Sequence, residues 1–339
     1  MATRLKDIAA DLGVSVVTVS KVLRNHSDIS EETRERVMKR IRELNYQPNL
    51  AARALVTGRS STIGLIVPDL VHPFFAEVAK GITRLLREQG YVLMISSSEE
   101  NADIERQEIE HMLARRVDAL LLASVQSDAA AFRVLEHHKT PLILLDRRVP
   151  GFTSNFIGVD DEDAGRLAAD HLVAQGCQRI ACIRGPEVST AIGRVAGYQK
   201  ALAAHGIPPN PDYVITGRTA DDAADRSGYD AMQHLLALSP RPDGVFCFND
   251  PVAMGAMQAV IDAGLRVPED VAVVGCGNIH YASFLRVPLT SIDQSSAILG
   301  ENAARLALSL VGLKKPAPPR TVLLESSLVA RASTLRRKD

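Results

Sequence analysis

No stretch of the 339-residue chain approaches the roughly 18 consecutive apolar residues that a membrane-spanning helix needs. The densest run, Ala119–Val125, suits one buried strand. Cysteine is scarce, with only Cys177, Cys182, Cys247 and Cys276, and none stands at CxxC spacing. That excludes a secreted disulfide scaffold and points to reduced thiols inside a core. The opening MATRLKDIAADLG places Asp7 and Asp11 where an export signal needs an unbroken apolar segment, so a cytoplasmic protein is expected.

Catalytic signatures are missing as well. There is no HExxH, GxSxG or Walker-type glycine loop. His111, His137 and His138 fall in helical stretches of the body, and Gly275-Cys276-Gly277 is only a fragment of a dinucleotide fingerprint. Nothing adjacent would activate Cys276 as a nucleophile. No catalytic residue, metal site or cofactor is therefore expected.

What is present is an ordinary globular composition, 46% hydrophobic and 23% charged, in a chain long enough for two or three domains. The net charge of −1 hides a split: residues 1–60 carry 11 Lys/Arg against 7 Asp/Glu, the remainder 28 against 33. A small basic head on a mildly acidic body points to a polyanionic partner for the head.

The first 46 residues read as three short helices. Leu5, Ile8, Ala9 and Leu12 lie at helical spacing up to Gly13; Ser15 can cap a second helix with Val19, Val22 and Leu23 on its apolar face. Ser30, followed by Glu31 and Glu32, can cap a third, lined by Val37, Ile41 and Leu44. Gln47-Pro48-Asn49 stops it, and Leu50–Leu55 forms a segment too short to be a stable isolated helix. From residue 61 strand and helix patterns alternate, which predicts parallel sheets covered on both faces. Among the expected elements are strands at Thr62–Val67, Leu142–Leu145 and Val214–Thr216 and a helix at Ala129–His138. About 280 residues exceed one comfortable core, so two lobes with a cleft are expected, with ligands beyond the carboxyl ends of the strands.

Two helices joined by a Gly-containing turn, LKDIAADLGVSVVTVSKVL, read as a helix-turn-helix whose second helix fits the DNA major groove. Val16 and Val17 precede the inward Val19 and point outward, placed to pack on thymine methyls. Lys21, one turn on, can reach guanine O6 and N7. Ser15, Thr18 and Ser20 suit phosphate contacts that set register.

These residues resemble the headpiece of the LacI/GalR family of bacterial transcription regulators. The resemblance runs on through STIGLIVPDLVHPFFAEVAKGI, RRVDALLL, GVDDEDAGRLAADHL, GRVAGYQKAL, RPDGVFCFNDPVAMGAM, GLRVPEDVAVVG and PLTSIDQ. It implies a homodimeric repressor that binds a near-palindromic duplex operator. The implied α/β fold has a headpiece (1–46), a hinge (47–60) and a periplasmic-binding-protein-like body of two doubly wound lobes (61–339). Lobe 1 is expected at 61–159 plus 292–318, lobe 2 at 160–291 plus 319–335. Leu55 matches the leucine that such hinges insert into the minor groove, flanked by Ala51, Ala52 and Arg53. The candidate DNA contacts are completed by Thr3, Lys6, Asn25 and Asn49.

For the effector, the resemblance implies Phe74, Phe75, Asp146, Thr190, Arg194 and Asn249, a set suited to a polyhydroxylated molecule such as a sugar or sugar derivative. Asp250-Pro251 reads as an N-cap followed by proline, which leaves Asn249 to the ligand. Two departures stand out. Val16 and Val17 replace the polar or aromatic side chains often found there, which bears on operator sequence. After Gly275 the usual carboxylate is replaced by Gly277, and Asn278 and His280 are the side chains available to substitute. The segment Gly217–Tyr229 is also long for the family and carries Asp221, Asp222 and Asp225. A solute-binding protein with no DNA-regulatory role is the alternative reading of the body; it leaves the head unexplained. The sequence ends without a heptad tail that would join dimers, so a dimer is expected.

Overall fold

The computed structural model describes residues 4–23, 26–46, 58–217, 224–313, 315 and 317–336. It divides into two compact units, Met1–Ser60 and Ser61–Asp339. Thr3, Asn25, Asn49, Ala52, Arg53 and Leu55, and with them the body of the expected hinge, lie outside the described residues.

The small unit holds α1 (Leu5–Leu12), α2 (Val16–Leu23) and α3 (Glu31–Glu43). Asp7 closes the first turn of α1 by accepting from the Arg4 amide at 2.8 Å. The helix ends at Gly13, whose φ of 64° is the left-handed conformation that a residue without Cβ adopts freely. Two residues later Ser15 Oγ accepts from Thr18 N at 3.0 Å and starts α2. Ser30 does the same for α3 through Thr33 N, with Glu31 and Glu32 in the first turn. Ile8, Ala9, Val19, Val22, Val37 and Ile41 form one buried cluster. Helices of eight residues are marginal alone, so this shared cluster holds them, each buried Val or Ile contributing about 1.5–3 kcal/mol.

The large unit is built on two six-stranded sheets. In chain order its elements are β1 (Thr62–Val67), α4 (Pro73–Glu88), β2 (Val92–Ser97), α5 (Ala102–Ala114), β3 (Ala119–Leu122), β4 (Leu142–Leu145) and β5 (Asn155–Val159). There follow α6 (Asp161–Ala174), β6 (Ile180–Arg184), α7 (Ser189–Ala204), β7 (Val214–Thr216), α8 (Ala224–Leu236), β8 (Gly244–Cys247) and α9 (Asp250–Asp262). The last are β9 (Ala272–Cys276), β10 (Thr290–Asp293), α10 (Ser296–Leu310), β11 (Thr321–Leu324) and β12 (Ser327–Val329). The first sheet has the order β11-β5-β4-β3-β1-β2, all parallel; the second runs β12-β10-β9-β8-β6-β7. Central strands such as β3 (ALLL) and β4 (LILL) are continuously apolar because helices cover both faces.

Three findings differ from the sequence reading. The edge strand β12 is antiparallel to β10, with Ser291 opposite Val329. Ala129–His137 is a 3₁₀ segment rather than an α-helix. The lobe boundaries also shift. β11 pairs with β5 (Thr321 opposite Phe156), so residues 321–324 belong to lobe 1, and the chain returns to lobe 2 only at β12. Likewise β10 extends through Asp293 in the lobe 2 sheet, and α10 then packs in the lobe 1 core through Leu299, Ala303 and Leu306. Each strand joins the sheet whose open edge it completes, which is a property of the assembled sheet rather than of the local sequence.

Close helix packing positions one side chain used below. A Cβ at Gly165 on α6 would collide with the Arg194 carbonyl of α7, and one at Gly197 with the Glu162 carbonyl. The two helices therefore approach backbone to backbone beside Arg194.

Candidate functional site

On the small unit, Val16 and Val17 at the start of α2 are 44% and 61% exposed while Val19 and Val22 are buried. Two outward valines on a two-turn helix leave much of their apolar surface open. Lys6 and Ser15 are exposed beside them, and Thr18 is half-buried with its hydroxyl 2.8 Å from Ser15 Oγ. Lys21 ion-pairs with Asp28, whose carboxyl is held below its ordinary pKa by the hydrogen bond from the Lys21 ammonium. In this state the lysine is tethered to the segment before α3. The remaining candidate here, Ser20, is half-buried on the same helix.

In the large unit a cavity of about 150 Å³ opens between the lobes. Its walls are the carboxyl ends of strands from both sheets. Asp146 follows β4, Arg184 ends β6, Phe248 and Asn249 follow β8, Cys276 ends β9 and Gln294 follows β10. Phe74 and Phe75 come from the first turn of α4, where His72 caps the helix by accepting from Phe74 N at 3.3 Å. The two phenyl rings meet edge to face at 5.1 Å and give the cavity an apolar wall.

Asp146 is buried and has a φ of 63°, the left-handed region, which costs a non-glycine residue on the order of 1 kcal/mol. Its amide still donates to Ile157 O at 2.8 Å. Burial pushes its carboxyl pKa up, and Arg194 and Arg147 oppose that. Arg147 is itself held by Glu100 in a bidentate pair at 2.9 and 2.8 Å. Arg194 donates from Nε to Asp161 at 3.0 Å and from Nη1 to Phe248 O at 2.7 Å, and its guanidinium lies 4.9 Å from the Phe248 ring centroid. Asp161 is raised to about 6, chiefly by burial, with Arg194 pulling it back. His72 is lowered to about 4 by burial, partly offset by Asp69, and is therefore neutral near pH 7. The thiol of Cys276 is pushed up to about 12 by burial despite Arg194, which keeps it protonated near pH 7.

A DNA-type headpiece and a polar cavity between doubly wound lobes occur in one chain. Residues 4–49 match the signature described as bacterial regulatory proteins, lacI family, and residues 169–334 match that of a periplasmic binding protein-like domain. The transcriptional repressor PurR of Erwinia tasmaniensis is 34% identical over 337 residues, covering 98% of this chain and 97% of that protein. The chain belongs to the lacI family of bacterial regulatory proteins. The ribose operon repressor of Escherichia coli K12 is 36% identical over 305 residues, 89% of this regulator and 91% of that protein. Among solved structures, the lac repressor dimer bound to operator and the anti-inducer ONPF superimposes with a TM-score of 0.88 at 31% identity, covering 99% of the regulator and 100% of that chain. The regulator CelR in complex with cellobiose gives 0.73 at 31% identity, covering 98% and 99%. The match of residues 4–49 sets aside the alternative of a solute-binding protein with no regulatory head.

Of the residues expected around the effector, Phe74, Phe75, Asp146, Arg194 and Asn249 line the cavity together. Thr190, Asn278 and His280 do not. Thr190 is buried on α7 away from the lining. Asn278 is spent on structure, donating to Asp293 at 3.0 Å and accepting from Arg331 at 2.6 Å. His280 lies on another surface, against Tyr281 and Phe284. Neither side chain replaces the carboxylate absent at Gly277. Asp225, on α8, is also outside the lining; Asp221 and Asp222 fall outside the described residues.

The N-cap assignment is also corrected. Asn249, not Asp250, caps α9, its Oδ1 accepting from Val252 N at 2.9 Å. Asp250 is buried and structural, accepting from Ser291 Oγ at 2.5 Å and from Ile279 N at 2.8 Å. Sequence reading missed His72, Glu100, Arg147, Arg184, Ser227 and Gln294 as lining residues. For two of them the signal is position: Arg184 is the last residue of β6 and Gln294 follows β10, where ligands of open sheets sit.

Proposed function

We propose that this regulator is a ligand-responsive transcriptional repressor that binds a near-palindromic duplex operator as a homodimer. Residues 1–46 would grip each half-site, 47–60 would act as the hinge, and 61–339 would bind the effector and pair the subunits. α2 enters the major groove with Val16 and Val17 against base methyls. Thr3, Lys6, Ser15, Thr18, Ser20, Lys21 and Asn25 contact backbone and base edges, and Asn49, Ala52, Arg53 and Leu55 act at the hinge. The exposure of Val16 and Val17 beside a buried Val19 is the observation that supports the groove reading most directly.

The effector is a small hydroxylated molecule of the sugar class, in keeping with the ribose operon repressor and the cellobiose complex among the relatives. Phe74 and Phe75 would face its apolar side, and Asp146, Arg194 and Asn249 would take its polar groups. A cavity of about 150 Å³ elsewhere accommodates one benzene, so the ligand is of single-ring size. Occupancy that favours one separation of the lobes shifts operator affinity by about 1–3 kcal/mol, a typical allosteric coupling. The protein acts in the cytoplasm and performs no catalysis on this reading.

The test is selection of bound duplexes from a random pool by the full-length protein. The reading requires a two-fold symmetric motif whose affinity changes on adding a cavity ligand. No preference for any duplex over random competitor would refute it.

A further inference from the structure

The cations of the cavity are not equivalent. Arg147 is occupied by Glu100, and Arg194 by Asp161 and the Phe248 carbonyl. Arg184, at the carboxyl end of β6, is ion-paired among the described residues with Glu187, whose side chain is 73% exposed. A pair with so solvated a partner is weak and readily exchanged. The Arg184 Nε is buried and has no hydrogen-bond partner among the described residues. A buried guanidinium N–H left unmade is unfavourable, and its usual complement is an oxyanion met by two parallel N–H groups.

A second orphan lies beside it. Ser227 Oγ on α8 is buried, faces the same cavity and has no partner among the described residues. Gly217, whose amide donates to the Arg184 carbonyl at 3.1 Å, leaves no room for a Cβ against that hydroxyl. Arg184, Gly217 and Ser227 thus form one corner of lobe 2, with two donor atoms unused among the described residues; the lining carboxylates Asp69, Glu100 and Asp146 belong to lobe 1. Across the cavity Asp146 presents a buried acceptor, with the Gln294 side chain beside it.

We infer that the effector carries an anionic group, a carboxylate or a phosphate, that docks on Arg184 and Ser227 while its hydroxyls reach Asp146. This rests on the cavity being the effector site.

The experiment is isothermal titration of the full-length protein with glucose and ribose as neutral probes, gluconate and glucuronate as carboxylates, and glucose 6-phosphate as a phosphate. At least one anionic probe should bind and the neutral ones should not; the member that binds separates carboxylate from phosphate. Arg184→Gln should weaken that probe about 10- to 100-fold and Ser227→Ala by a smaller factor. Thermal unfolding of both variants checks that they fold, and the serine variant keeps the test decisive if the arginine variant does not. Neutral sugars binding with an affinity indifferent to Arg184→Gln would overturn the inference, as would silence across the whole panel. Operator selection with the unaltered protein is read separately, so an intact operator motif beside a failed titration removes the anion and leaves the regulator.

Discussion

His72 and Asn249 meet across the two lobes, the imidazole Nε2 3.0 Å from the carboxamide Nδ2, and each caps a helix on its own side. Asn249 Oδ1 is committed to Val252 N, so its Nδ2 faces the ring as a donor. His72 Nδ1 faces the Phe74 amide, also a donor. A neutral imidazole has one acceptor nitrogen, so only one of the two contacts is satisfied at a time. This contact between the lobes is therefore incompletely satisfied, whereas the Arg148 amide donates to Ser189 Oγ across the lobes at 2.8 Å.

That ring gives the first prediction. Its pKa is lowered from 6.5 to about 4, so the unfolded chain takes up a proton first as pH falls. His72 therefore contributes stability that is full above about 6.5 and is lost progressively toward about 4, on the order of 3 kcal/mol. Asp161 and Asp250, raised to about 6, act in the opposite sense, because the folded state binds their protons first. Urea midpoints of wild type and His72→Gln at pH 7.5 and 4.5 isolate the ring. The difference between the two proteins should shift in favour of the variant at low pH; a constant difference would count against a buried neutral imidazole.

Arg194 joins α7 to Asp161 and to the β8 exit. Arg194→Ala removes the cation paired with the buried Asp161 and one of the two that act on Asp146, and should cost about 3–5 kcal/mol at pH 7.5. The deficit should shrink toward pH 5, since a carboxyl with a raised folded pKa gains stability as it protonates. Titration calorimetry on the folded variant should show effector binding lost.

On the headpiece, Lys21→Ala should weaken specific operator binding by about 1–3 kcal/mol, while Val17→Asn should change the preferred base rather than lower affinity for all duplexes. Binding measured across a set of single-base operator variants separates these outcomes. Because Asp28 holds Lys21 in the free protein, Asp28→Asn should not weaken binding.

Gly165 tests the packing behind the site. Gly165→Ala drives a methyl into the Arg194 carbonyl and should destabilise the body by about 1–3 kcal/mol or more. Ala168→Gly on the same helix, also buried, should cost nearer 1 kcal/mol. Equal losses in thermal unfolding would contradict the close approach of α6 and α7.

The four thiols are buried and unpaired, and burial raises Cys177 to about 11 and Cys182 to about 12. The native protein should resist a thiol reagent at pH 8 and should release all four on unfolding.

Much of the fold was legible in the sequence. Thr62–Val67, Leu142–Leu145 and Val214–Thr216 are strands with the expected limits, because short apolar runs bounded by turns admit few other solutions. Gly13, Ser15 and Ser30 mark the headpiece helices because capping is a local transaction between neighbours. The end of the chain was less legible. β11 and β12 are separated by only Glu325 and Ser326, yet they join different sheets, and no local preference distinguishes them.

The sequence by itself determined the helix-turn-helix and the alternation of strands and helices, and its family resemblance singled out Asp146, Arg194, Asn249 and the two phenylalanines, which line one cavity. Tertiary structure alone decided that Asn278 is consumed by Arg331 and Asp293, that Asn249 is a cap, and that Arg184 keeps a buried N–H unpaired among the described residues. The reason is physical. A cap or a period is set by residues a few positions apart, whereas partnership inside the cavity is set where strand ends from two sheets converge. There a partner can be more than a hundred residues away in sequence, as Asn249 is from His72.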